Sequence, residues 1–466
     1  MLEKTLIQRV LNEALKTGGD FAELFEETYY STAYTALNGT IEGANSGIRS
    51  GIGLRIYHEL ESFYAYTNDT SEENLMKTAD TLASALHGER IKEAKKLEEV
   101  VYENQHPIKI YPSKTKAEAK IKLMKEVCES ALAYDEVISK VIVNYIDNEQ
   151  HVTISNSDGR YIKDVRVRTR MSCNAIAQDG DLVENGTCTP GGHMGMEFYE
   201  IHTPKAIGEE AARIAKTMLY ADDCPSGVMP VIIDNGFGGV IFHEACGHSL
   251  EATSVAKNHS VFSGKLGTQI AHSCVSAVDD GTITNAWGSA NIDDEGNFTK
   301  RNLLIENGIL KSYLVDTLNG RRMHTPSTSS SRRESYQYEP TSRMTNTFIL
   351  PGNHELEDMI QSISYGLYAK KMGGGSVDPS TGDFNFAVNE GYLIQDGKIV
   401  KPVKGATLIG NGADTLMKID MVGKDLATAQ GMCGSSSGSI PTDVGQPPIR
   451  VSSMIVGGKD GGDVNE

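Results

Sequence analysis

The chain has 466 residues, with 44 Lys and Arg against 62 Asp and Glu, a formal charge of −18 at pH 7, and 39% hydrophobic residues. That length buries a sizeable core in two or three domains, and the acidic balance disfavours nucleic acid or an anionic membrane as a direct partner, because phosphate binding needs a basic footprint. The first ten residues mix charges into their apolar pattern, unlike a signal peptide, no run approaches the roughly 20 apolar residues of a span, and seven scattered Cys without a CxxC fit reduced thiols. A cytoplasmic protein is expected.

Leu2, Leu6, Ile7, Val10, Leu11, Ala14 and Leu15 form an i, i+3/i+4 stripe that predicts a helix over 3–17, ended by Gly18-Gly19. Strand-type segments follow at 21–30, 32–43, 51–57 and 62–66, then a helix at 71–87 and a charged connector at 88–114. The theme recurs with a helix at 116–134 and strands at 137–145, 151–155 and 161–177, so 1–88 and 115–200 read as an internal duplication. A helix at 204–220 leads to Asp222-Asp223-Cys224-Pro225-Ser226-Gly227, a turn-rich boundary. The expected fold is α+β: an N-terminal αβ domain over 1–221 and a β-rich domain over 222–466 that carries a metal-binding helix.

The second half opens on the apolar strand 228–233 and the turn Asp234-Asn235-Gly236, with Asn235 placed to cap the following helix. That helix carries His243-Glu244-Ala245-Cys246-Gly247-His248. Neutral imidazoles ligate zinc, and an adjacent Glu serves as a base. The usual zinc-protease helix places its two His at i and i+4, whereas here the second comes at i+5. At about 100° per residue they would point roughly 140° apart in a regular α-helix. Convergence requires a widened, π-type turn, which Gly247 tolerates.

A catalytic zinc site needs a third ligand and an open position. Cys433, in the small-residue loop Gly431-Met432-Cys433-Gly434-Ser435-Ser436-Ser437-Gly438, is the stronger candidate. Cys246, three residues after His243, is the weaker one, since it would crowd the second His. From about 260 onward Gly, Ser, Thr and Asn predominate, which predicts strands and long loops, with one helix at 354–371 followed by Gly373-Gly374-Gly375. No phosphate-loop pattern is present.

The block 228–255 with its HEACGH core resembles the TldD branch of the TldD/PmbA metalloprotease family, formerly labelled a modulator of DNA gyrase. So do Glu339-Pro340-Thr341-Ser342-Arg343-Met344-Thr345-Asn346-Thr347, Gly373-Gly374-Gly375 and the late Gly-Met-Cys-Gly-Ser loop. The resemblance implies a zinc peptidase, with His243, His248 and Cys433 as ligands and Glu244 as general base. It also implies a dimer, either with a PmbA-like subunit or of two copies. A thiolate in the set favours Zn2+, or Fe2+, over hard cations. His324, Arg332, Arg333, Tyr336, Tyr338 and Arg343 share one polar, aromatic region and are candidates for substrate or oxyanion contact. The expected substrate is a peptide or unfolded polypeptide. A metal amidohydrolase of small molecules and a scaffolding subunit with a structural metal are the alternatives.

Overall fold

In the computed structural model, which describes residues 2–378 and 381–459, the N-terminal half is built on four long antiparallel strands. Phe21–Leu37 turns into Thr40–His58 at Asn38-Gly39, whose φ values of 47° and 82° are the left-handed pair that a two-residue hairpin needs. The breaks expected near 31 and 44–50 are absent, and so is the gap expected between 145 and 151. Ile138–Asn156 and Arg160–Asp179 each run unbroken. The reason is pairing: Phe21–Leu37 is hydrogen-bonded along its length to Thr40–His58 on one side and Ile138–Asn156 on the other. A continuous ladder on both edges holds Ser, Thr, Gly and Asn extended where local preference favours turns.

Two units repeat the order helix, three strands, helix. Lys4–Ala14 and Glu72–Ala83 flank the first, and Ala117–Leu132 and Pro204–Leu219 flank the second. Their leading strands, Phe21–Leu37 and Ile138–Asn156, join the units in the middle of one sheet. Each unit has its own core, one around Ile7, Leu11, Leu24 and Leu54, the other around Met124, Val127, Val143 and Ile207.

Among the described residues the C-terminal half holds two larger sheets and the two-stranded pair of Ser331–Arg332 with Thr341–Ser342. Strands Tyr365–Val377, Gly227–Ile233, Ile449–Gly457, Thr407–Asn411 and Asp383–Gln395 pair in a ring, since the first also bonds to the last. The other sheet has six strands and ends on the hairpin Gly438–Gln446 and Ala427–Ser435. The helix expected over 354–371 shrinks to Leu356–Gln361. Tyr365–Val377, which takes in Gly373 to Gly375, is instead a strand gripped by two partners in the ring. Its four glycines favour neither helix nor strand by themselves, so the two partners impose the extended form. Cys433 likewise lies on a strand of a hairpin, and the expected loop is confined to its tip.

Candidate metal centre

The strand Gly227–Ile233 delivers the chain to Gly236, whose φ of +71° turns it into a composite helix. Gly236–Gly239 is a 3-10 turn, Val240–Phe242 is α-helical, His243–Gly247 is a π-turn and His248–Leu250 is 3-10. The widened turn that the i+5 spacing requires is therefore present: the N–H of His248 donates to the carbonyl of His243. Ile241, Phe242, Ala245, Cys246 and Leu250 fill the main core, which leaves the two His on the other face. Their ring centroids are 5.1 Å apart. Gly247, with an ordinary helical φ of −57°, lets Met344 pack onto the turn, since a Cβ there would lie 2.3 Å from Met344 Sδ. Asn235 occupies the cap position but makes no capping bond, and its amide donates to the Asp425 carbonyl.

The hairpin brings Cys433 over this face. His243 Nε2 and His248 Nε2 each lie 3.3 Å from Cys433 Sγ. All three ligand atoms fall within 4.8 Å of one another. Nitrogen and sulfur donors at about 2.1 and 2.3 Å from a common centre need separations of this order. The donor set thus fits a borderline-soft ion such as zinc. Cys246, by contrast, is buried in the core, and burial pushes its thiol up.

Electrostatics separate the two imidazoles. Burial, helped by His248 and Arg343, holds His243 well below its ordinary pKa, so its lone pair is free to ligate. Burial also works to lower His248, but the Glu251 carboxylate and Cys433 override it and raise the pKa well above the usual value. A cation seated between the Nε2 atoms and Sγ would take the place of that proton. Glu244 Oε2 lies 3.6 Å from His248 Nε2, and burial raises the Glu244 pKa. The carboxylate faces a cleft of about 370 Å³ that also touches Thr253, His259, Val377 and Gly434.

A residue that sequence reasoning missed orders the site. Glu251 Oε2 accepts from His248 Nδ1 at 3.1 Å, the outer carboxylate contact common to metal-bound imidazoles. Its position three residues after His248 was the available signal. Arg343, fully buried, donates to Ser437 Oγ, the Gly438 carbonyl and the Cys433 carbonyl, and its Nε is 3.9 Å from Glu251. It fixes the hairpin tip above the helix. The other candidates of this region are not brought to the trio. His324 is exposed at the end of the helix Thr317–Met323. Tyr336 is buried against Phe25 and Ile292, and Tyr338 is half-buried. Arg333 pairs with Glu23 at 2.6 Å, while Arg332 donates to the Met344 carbonyl. This region is a seam against the N-terminal sheet, where a solvated loop would have left these groups in water.

Comparison with known proteins places the architecture. Family models described as PmbA/TldA metallopeptidase domain 1, central domain and C-terminal domain match residues 22–86, 110–219 and 226–458. A Haemophilus influenzae protein named Metalloprotease TldD homolog is 37% identical over 420 residues, covering 87% of this chain and 86% of that one. A Saccharolobus solfataricus protein named Zinc metalloprotease TldD homolog is 28% identical over 345 residues, 73% of this chain and 76% of its own. A Thermotoga maritima crystal structure, of a candidate modulator of a DNA gyrase, superposes with a TM-score of 0.78 at 22% identity, over 97% of this chain and 100% of that one. The last likeness concerns fold alone. Three matched domains in order and that level of identity over most of the chain lead to one conclusion: the chain belongs to the PmbA/TldD metallopeptidase family.

Proposed function

We propose that this metallopeptidase-family chain is a zinc-dependent peptidase of peptides or unfolded polypeptides, in which His243, His248 and Cys433 hold the ion and Glu244 is the general base. The supporting observation is the convergence of one thiol and two imidazole nitrogens beside a carboxylate that opens on a cleft. A bound zinc supplies Lewis acidity for a scissile carbonyl and makes water a stronger acid near neutral pH. Glu244 takes the proton of the attacking water and passes it to the leaving amine, for which its raised pKa suits it. Glu251 holds the His248 ring, and Arg343 holds the hairpin. Ferrous iron is the second choice of metal for this donor set.

The strand Ala427–Ser435 ends its sheet, so an extended peptide can add beside Cys433 through main-chain bonds, with little sequence preference. The proposal extends to a division of the chain at 221/222, a PmbA-like or identical partner subunit, and a cytoplasmic location, the last supported by seven free cysteines. Among the described residues no helix is long and apolar enough to cross a membrane.

The test is metal analysis and peptide hydrolysis on wild type, Glu244→Gln and Cys433→Ala. Glu244→Gln is expected to keep the metal and to lose about 10²–10⁴-fold in kcat, the range of a general base. Cys433→Ala is expected to lose both. Full function in Glu244→Gln would make the metal structural, and retained metal in Cys433→Ala would remove that ligand.

A further inference from the structure

A second cavity, of about 300 Å³, lies between the N-terminal sheet and the C-terminal half. Its floor follows from the pleat. In the run Val165-Arg166-Val167-Arg168-Thr169-Arg170 the arginines recur every second residue, so all three project from one face of the strand. Register carries the row across the sheet: Arg166 faces Gln150, Gln150 faces Tyr29, and Tyr29 faces Arg49. Trp287, Arg332, Arg333 and Ile440 close the cavity from the other side.

The charges there do not balance. Arg166 meets Asp294 at 2.7 Å and Arg333 meets Glu23 at 2.6 Å. Among the described residues, however, Arg168 donates only to the carbonyls of Trp287 and Ser289, and Arg332 to that of Met344. Arg170 Nε is buried without a partner. None of these three stands in a salt bridge among the described residues. Burial, with Arg332 and Arg166 nearby, pushes Arg168 down to about 9, and burial likewise pushes Arg332 down to about 10. Guanidinium stays charged in proteins, so this is the cost of burying cations that outnumber the carboxylates around them, six arginines against Asp293, Asp294 and Glu334 in the lining. In a chain of net charge −18, such a cationic cavity marks a ligand site.

The ligand class follows from geometry and neighbours. Forked guanidinium donors match the two oxygens of a carboxylate. Asp293, Asp294 and Glu334 share the lining and weigh against a dianion such as phosphate. The cavity touches the hairpin at Met432 and at Ile440, the register partner of Cys433. We propose that this cavity receives a carboxylate of the bound peptide, from its C-terminus or an acidic side chain, and that Arg168, Arg170 and Arg332 thereby set substrate preference. The inference rests on the peptidase reading.

Trp287 is the chain's single Trp and lines the cavity, so its fluorescence reports occupancy without turnover. Three N-acetylated peptides of otherwise equal sequence are titrated into full-length Glu244→Gln: one with a free C-terminus, one amidated with a Glu, and one amidated with a Gln. The first or the second is expected to bind about 10- to 100-fold more tightly than the third, the range of a charge-assisted hydrogen bond, and the winner identifies the source of the carboxylate. Arg170→Gln strands no partner and should shrink that difference, as should Arg332→Gln. Equal binding of all three peptides, a preference that survives both variants, or tighter binding of inorganic phosphate than of the acidic peptide would overturn the proposal. Hydrolysis by wild type separates the two claims. Charge-selective binding with no peptide cleaved sinks the peptidase reading and leaves the carboxylate site, whereas cleavage without any carboxylate preference sinks the site alone.

Discussion

At the scale of single residues, the centre depends on groups that bind no ion themselves. His248 is held between Glu251 at Nδ1 and Cys433 at Nε2, and Arg343 ties the backbone of Cys433 to the hairpin tip. Outer contacts of this kind fix the tautomer and orientation of a ligating imidazole, and their loss costs about 10–100-fold in metal affinity. Glu251→Gln is therefore expected to weaken metal binding by that factor in a chelator competition, with Glu251→Asp recovering part of it. Unchanged affinity in Glu251→Gln would make the contact incidental. The sequence offered Arg343 as a substrate or oxyanion contact, whereas its guanidinium, fully buried, donates to three acceptors of the hairpin.

At the scale of elements, the site exists because a helix and a hairpin approach more closely than side chains allow. A Cβ on Gly239 would lie 2.5 Å from the backbone of Gly445, on the strand that pairs with the Cys433 strand. Gly239→Ala should push the helix off the hairpin, lower stability by about 1–3 kcal/mol in denaturant unfolding, and cut metal content. Gly374→Ala, with open space around its Cβ, is the control expected to stay within about 0.5 kcal/mol of wild type. A Gly239→Ala variant as stable and as metal-rich as wild type would show that the approach is not tight. The π-turn was readable from the i+5 spacing, since two imidazoles can share one face at that distance only if the turn is widened. The strand Tyr365–Val377 was not, because its conformation is imposed by two neighbours that are remote in sequence.

At the scale of the whole molecule, the two halves are joined by buried and half-buried ion pairs. Arg213, on the helix Pro204–Leu219, meets Glu390, on the strand Asp383–Gln395, through two hydrogen bonds of 2.9 and 2.7 Å. Burial works to raise Glu390, but Arg213, Tyr392 and Lys370 override it and bring its pKa from 4.5 to about 2. A depressed carboxylate stabilises the fold above its unfolded pKa, and that contribution fades as pH falls from about 4.5 through about 2. Glu390→Gln should cost about 2–3 kcal/mol at pH 7 and flatten the loss of stability over that acid window in pH-dependent melts. An unchanged acid limb would assign the dependence to other groups. The sequence by itself determined the helices with clear apolar stripes, the α+β class, the His-Glu-His core and the need for a distorted turn, all of which follow from spacing within a few residues. Only the tertiary structure decided that Phe21–Leu37, Thr40–His58 and Ile138–Asn156 run unbroken, that Cys433 sits on a strand above His243 and His248, that Glu251 and Arg343 hold them there, and that alternate arginines of one strand line a cavity. Each of those depends on pairing and burial between segments far apart in the chain, and local propensity does not carry that information.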